Sequence, residues 1–390
     1  MQDIYTLLID ALECSMTGKP FVLPENVQWQ SFLKLCHSHA VAPLVFDGMQ
    51  KAGVLQKLPQ EVQKLLSGAY YSAIFRDSQL EHTKAKLTQK LEEARVRHIF
   101  LKGICLKNNY PVPALRTMCD IDVLVHTDDY PAIKQLSLAM GGVAGHSDGN
   151  HRNYRFPGGV EVEFHPNLIH HETPVGTQIN PGWQYAAPDK TGAVGELTEE
   201  GFYLNTICHL ANHFVAGGVG VRFVLDVWVN RHLRQPEPDR AFVEKELERF
   251  HLLDFARNIE ALAEAWFGDG QLTEELTELA EYILTSGSHG TSARAMLNAV
   301  ALSPGGTQSS ALMKRVFYSR AEMEDRFPWC KGKPWLLPIA WLARAFRAVK
   351  NHGKLILQWG KGTGEVSKNE VTEQQEKLRR FGISKTKHSG

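Results

Sequence analysis

The chain has few cysteines, and no two of them stand at the spacing of a metal-binding pair. Cys14, Cys36, Cys105, Cys119, Cys208 and Cys330 are scattered over 390 residues, a pattern that reads as reduced thiols and excludes a disulfide framework. Long apolar runs are missing as well. Nothing approaches the length that spans a bilayer, and Met1 to Lys19 has early acidic residues without a continuous apolar stretch. Net charge is absent, because 43 Lys and Arg balance 43 Asp and Glu. That balance argues against extended nucleic-acid binding, though it leaves room for a local basic patch. No repeat or low-complexity tract is visible. Together these absences point to a cytoplasmic protein with no transmembrane segment.

What is present is ordinary core material. Apolar residues make up 43% of the chain, and the length suits two or three domains. Residues 1 to about 95 show helical spacing: Ile4, Leu7, Leu8 and Ala11; Trp29, Phe32 and Cys36; then a long pattern through Val62, Leu65, Leu66, Tyr70, Ile74, Phe75, Leu80, Leu87 and Leu91. His37 and His39 lie in this region without ligand partners at metal spacing. Between residues 96 and about 195 the period changes to that of short strands: Val96 to Leu101, Cys119 to His126, His151 to Phe156 and Gly159 to His165. A helix over Asp128 to Met140 stops at Gly141 and Gly142. Helical periodicity returns over 196–355, including one run from Phe242 to Phe267, and residues 356–390 read as a polar, mobile tail.

The chemistry concentrates between Leu101 and Val125. In a strand, Asp120 and Asp122 point to one face while Ile121, Val123 and Val125 point into a core, with Cys119 packed on that core side. Two carboxylates on one face repel, and burying either unpaired is costly. A hard divalent cation relieves the repulsion, and Mg2+ held by carboxylates and substrate phosphates suits it. Two-metal phosphoryl-type transfer is the natural chemistry. Gly103 can admit a triphosphate close to the backbone, or mark an ordinary strand-to-helix turn. Lys102 and Arg116 can neutralise phosphate charge; for Arg116 the alternative is a salt bridge to one of these aspartates. Lys107 is a weaker candidate.

The segments Leu101-Lys102-Gly103, Arg116, Asp120-Ile121-Asp122 and Glu163-Phe164-His165 together resemble the DNA polymerase beta-like nucleotidyltransferase superfamily. They are most similar to its bacterial branch of uncharacterised nucleotidyltransferases. The resemblance implies an α+β fold, a small mixed-sheet core between N-terminal and C-terminal helical regions. It also implies Mg2+-dependent (or Mn2+-dependent) transfer of a nucleoside monophosphate from an NTP to an acceptor hydroxyl. Asp120, Asp122 and Glu163 would be catalytic and hold the metals, with Glu161 in reserve, while Lys102, Gly103, Arg116 and His165 would bind nucleotide phosphate. Ile104 departs from the wider superfamily, which has a small residue after the glycine. Two rivals stay open: a catalytically silent nucleotide-binding scaffold and a metal-dependent phosphohydrolase.

Further motifs lie downstream. His209 and His213 share a helix face at i and i+4 but lack the glutamate of a zinc hydrolase. With Arg222 and Asp226 they read either as one wall of the cleft or as a polar network between helices. His170 and His171 read as loop residues. Trp335 to Lys350 reads as a helix packed on the C-terminal domain, with a membrane-surface helix as the alternative.

Overall fold

The computed structural model describes residues 2–145, 151–169, 179–180, 182–187, 194–288, 290–303, 320, 323–324, 327–344, 346 and 367–383. Three helices, α1 (Gln2–Thr17), α2 (Trp29–Ser38) and α3 (Ala42–Lys51), precede the 34-residue α4 (Gln60–Glu93). Leu66, Ala73, Leu80 and Leu87 repeat every seven residues along α4 and are buried. A stripe of that period leaves the positions between it outside, so Leu65, Ile74 and Phe75, which periodicity alone places inside, are exposed. The helix bridges two cores: Val62 and Leu66 enter the larger, Leu80, Leu87 and Leu91 the smaller.

The chain then enters a six-stranded mixed sheet, which makes the fold α+β as expected. In sequence come β1 (His98–Leu101), the one-turn α5 (Gly103–Leu106), β2 (Asp120–Val125), α6 (Tyr130–Ala139), β3 (Val143–Ala144), β4 (Arg152–Phe156), β5 (Val160–His165) and β6 (Val194–Gly195). Their spatial order is β3-β4-β5-β2-β1-β6. The two central neighbours, β2 and β5, run parallel, while β4 and β5 form the expected antiparallel hairpin across Pro157-Gly158. Helix α6 stops where Gly141 takes φ +79°, which a side chain would resist. Cys119 corrects an expectation. The strand begins one residue later, at Asp120, and Cys119 is exposed instead of packed in the core.

Helices α7 (Glu199–Ala216), α8 (Val221–His232), α9 (Arg240–Arg249), α10 (Leu253–Phe267), α11 (Glu274–Leu284), α12 (Ser292–Leu302) and α13 (Lys368–Arg380) complete the described chain apart from short segments. The run from Phe242 to Phe267 is two helices, broken where His251 takes φ +56°. The mobile tail is also corrected over the residues described. Ser367 and Glu370 cap α13 reciprocally, and Val371, Leu378, Phe381 and Ile383 are buried. Polar spacing hid a narrow apolar stripe that is enough to dock one helix face. The larger cluster runs from Leu7 to Ile383, so the first and last helices share one core. His39, just after α2, ties the N-terminal helices to α8 and α11. Its Nδ1 accepts from the Val221 N–H at 3.1 Å, and its Nε2 lies 3.0 Å from the Leu284 carbonyl.

The segment after Trp335 is not simply packed. Residues 337–344 are helical, and Leu336, Leu337, Ala340 and Trp341 pack with Met323, Phe327 and Cys330, but the opposite face is exposed. His170, His171 and most of residues 345–366 lie outside the described residues.

Candidate active site

The register of the parallel pair builds the site. Asp122 stands beside Glu163, Asp120 beside Glu161, and Leu124 beside His165. Because side chains alternate, Asp120, Asp122, Glu161, Glu163 and His165 share one sheet face. Ile121, Val123, Val125, Val160, Val162 and Phe164 are buried on the other. Glu163 lines the same cavity as both aspartates. The reserve candidate Glu161 is instead held by Arg155, whose Nε donates to its Oε1 at 3.1 Å.

Lys102 reaches these acids from the turn between β1 and α5, where it takes φ 54° and ψ −128°. Such a backbone costs of order 1–3 kcal/mol for a non-glycine residue and has to be held by its surroundings. The Lys102 Nζ donates to Asp122 Oδ1 at 2.8 Å, and His165 Nε2 lies 2.7 Å from the same oxygen. His165 Nε2 also stands 3.3 Å from Glu163 Oε2.

These contacts separate the acids electrostatically. Burial and the neighbouring Asp122 charge push the Asp120 carboxyl up to about 6. Burial opposes ionisation of Asp122 too, but Lys102 and the His165 hydrogen bond outweigh it and hold that carboxyl below the usual range. The His165 hydrogen bond lowers Glu163. Burial works against charge on His165, yet the bonds to Asp122 and Glu163 raise its proton affinity.

Arg116 does something other than expected. Its Nε and Nη2 donate to the two oxygens of Asp226, at 3.0 and 2.7 Å, in a buried fork. Tyr110 Oη donates to the same carboxylate at 2.7 Å, and Arg222 Nη1 does so at 3.4 Å. The partner of Arg116 is therefore an aspartate 110 residues downstream, and not Asp120 or Asp122. Gly103 is explained by the same guanidinium: a Cβ there would lie 2.1 Å from Arg116 Nη1. Lys107 is buried between Asp77 and Glu81 of α4 and is a structural ion pair.

A cavity of about 440 Å³ joins the acids to the arginines. Its lining includes Lys102, Gly103, Arg116, Asp120, Asp122, Glu163 and His165, so all seven sequence-selected residues meet in one place. His209, His213, Arg222 and Asp226 line it as well, which makes the HxxxH and RxxxD segments a wall of the cleft. Burial, with Lys102 nearby, holds His209 well below its ordinary value. Sequence reasoning missed Asn205, Ala40 and Ser288, which come from distant segments with no local signal. Two polar atoms in the wall, Asn205 Oδ1 and Arg222 Nε, are buried with no hydrogen-bond partner among the described residues. Unsatisfied buried groups are costly and mark places where a ligand can bond.

A divalent cation fits the acid end. Donor atoms of Asp122, Glu163 and His165 all lie within 4.8 Å of one another. Asp120 is outside that triple but lines the same cavity. Two carboxylates suit a hard cation, while a neutral imidazole favours Mn2+ over Mg2+. Protonated, His165 would compensate charge instead of ligating.

Residues 25–268, more than half of the chain, match the model of a family described as uncharacterised nucleotidyltransferase. No curated protein and no solved structure matches the chain. No described helix is long and apolar enough to cross a membrane.

Proposed function

The chain belongs to the uncharacterised nucleotidyltransferase family, and from that premise we propose that it moves a nucleoside monophosphate from an NTP to an acceptor hydroxyl in the cytoplasm. The observation that carries the reading is the convergence of Asp120, Asp122, Glu163 and His165 with two arginines in one cavity. The acceptor oxygen forms a bond to the α-phosphorus as the bond to the pyrophosphate oxygen breaks. Asp120 takes the hydroxyl proton, since its raised affinity makes it a better base near neutrality than the lowered Glu163. Asp122 and Glu163, with His165, would hold Mg2+ or Mn2+, which supplies charge neutralisation at the phosphate oxygens. Lys102 keeps Asp122 ionised and faces the phosphates. Arg222 carries the cationic contact to the terminal phosphates, because Arg116 is committed to Asp226 and the Arg222 Nε has no partner among the described residues. Arg116 and Gly103 position that wall. The Asn205 oxygen offers an acceptor to a ribose or base donor.

One observation favours a catalytically silent nucleotide binder. Both Lys102 and His165 already occupy Asp122 Oδ1, so a metal must compete with them there. Incubation with each α-labelled NTP and Mg2+ or Mn2+ in a metabolite extract separates the readings. Label entering a discrete product with wild type, and not with the Asp120→Asn/Asp122→Asn double variant, supports transfer. NTP that binds without turnover in extracts of several sources supports the silent reading. Release of inorganic phosphate supports a phosphohydrolase.

A further inference from the structure

The helical segment 337–344 is apolar on two sides, and only one of them is used. Leu336, Leu337, Ala340 and Trp341 face the small cluster around Met323, Phe327 and Cys330. Trp335, Ile339, Leu342 and Phe346 follow at spacings of four, three and four, which stacks them along a single opposite stripe. They are 70%, 55%, 71% and 73% exposed. Four large apolar side chains in a row on the outside form the kind of patch that marks a contact surface.

The charges around the stripe identify what it meets. Between Asp325 and Glu365 the sequence has eight Lys or Arg and no Asp or Glu, although the whole chain is neutral. Lys331 and Lys333 are exposed just before the stripe, and Arg347 and Lys350 follow it in sequence. A second copy of the chain would bring the same unbalanced cations against these, which repel. A nucleic acid would use the cations but leave the tryptophan, isoleucine, leucine and phenylalanine in water. An anionic bilayer uses both, taking the apolar side chains below its headgroups and the Lys and Arg at their level. We propose that this segment is an in-plane membrane helix that docks the protein on an anionic lipid surface.

The experiment is vesicle flotation of the full chain, with phosphatidylcholine vesicles lacking or containing phosphatidylglycerol, at low and high salt. Leu342→Asp is compared with wild type. Leu342 is exposed, so the variant should keep the wild-type thermal transition. The expected result is binding to phosphatidylglycerol vesicles alone, weakened by salt, and reduced at least tenfold by Leu342→Asp. A Lys331→Glu/Lys333→Glu variant, changed at two exposed cations just before the stripe, should lose binding to a similar degree. Three results would overturn the proposal: no binding to the anionic vesicles; binding that Leu342→Asp leaves intact; or self-association of wild type that Leu342→Asp abolishes while vesicle binding is absent.

Discussion

Two ends of one cavity are built on opposite principles. At the sheet end, Asp120, Asp122 and Glu163 outnumber the single lysine that faces them, and the bonds to Asp122 and Glu163 raise the proton affinity of His165. At the helix end two guanidiniums, Arg116 and Arg222, share one carboxylate, Asp226. The first end carries surplus negative charge and suits a cation. The second carries surplus positive charge and suits an anion. A metal-bound polyphosphate is complementary to both at once, which neither end alone would indicate. The ends differ in purpose too. Asp120 is the crowded acid, so removing its charge relieves repulsion, whereas Asp122 is bonded to Lys102 and His165. The two guanidiniums at the helix end meet on Asp226, so removing that carboxylate strands buried charge.

The largest expected effect tests the acid end. Asp120→Asn and Asp122→Asn should each lower turnover by about 10³-fold, the scale on which a single preorganised charge acts. They should diverge in stability. Asp122→Asn removes the partner of Lys102 and His165 and lowers the thermal transition, whereas Asp120→Asn removes the crowded charge and leaves it level or raises it. Turnover unchanged in Asp120→Asn would sink its assignment as the base, and turnover unchanged in Asp122→Asn would sink the metal assignment.

The arginine end should respond in the reverse sense. Asp226→Ala leaves two buried guanidiniums and the Tyr110 hydroxyl without their acceptor, at a cost of about 3–5 kcal/mol. Denaturant melts would measure it, and a loss below about 1 kcal/mol would remove the contrast between the ends.

Asp120 predicts a pH signature. Its folded value of about 6 lies above the unfolded value of about 3.9, so the folded chain binds the proton more tightly. In chelator, the stability contributed by protonated Asp120 is therefore lost as pH rises from about 4 to about 6, and Asp120→Asn should flatten that window. His165, raised as well, adds a loss at higher pH, above about 6.5. Mn2+ bound through the imidazole would compete with the His165 proton, whose affinity the bonds to Asp122 and Glu163 raise, so Mn2+ affinity should weaken as pH falls. Titration calorimetry across pH checks this.

The smallest effect should come from Arg222→Gln. Loss of a charged phosphate contact raises KM for NTP about tenfold, with kcat little changed if the contact is equal in ground and transition states. Binding of inorganic tripolyphosphate should weaken in parallel. An unchanged KM would return the phosphate contact to Arg116.

The local alternation of strands made the acid end legible. Val160, Val162 and Phe164 against Glu161, Glu163 and His165 is a period-two pattern that any extended chain converts into two faces, and the same holds for Asp120 to Val125. That the two strands share a sheet, with Lys102, Gly103 and Arg116 beside them, was implied by the resemblance, and the seven residues do meet in the cavity. The choice between Glu163 and Glu161 was not legible, since both face the same way; Arg155 on β4 decides it by occupying Glu161. Cys119 was misplaced by a one-residue error in where the strand begins.

Period and spacing thus determined which residues are strands and which face of each carries acid, while the family resemblance implied that Lys102, Arg116 and His165 belong near it. Only the tertiary structure decided partners. Arg116 bonds Asp226 across 110 residues, Gly103 is small because that guanidinium fills its space, and a polar terminal segment docks through a stripe of four apolar side chains. The physical reason is range. Side-chain direction follows from a residue's own backbone, whereas an ion pair between distant segments depends on the path of everything between them.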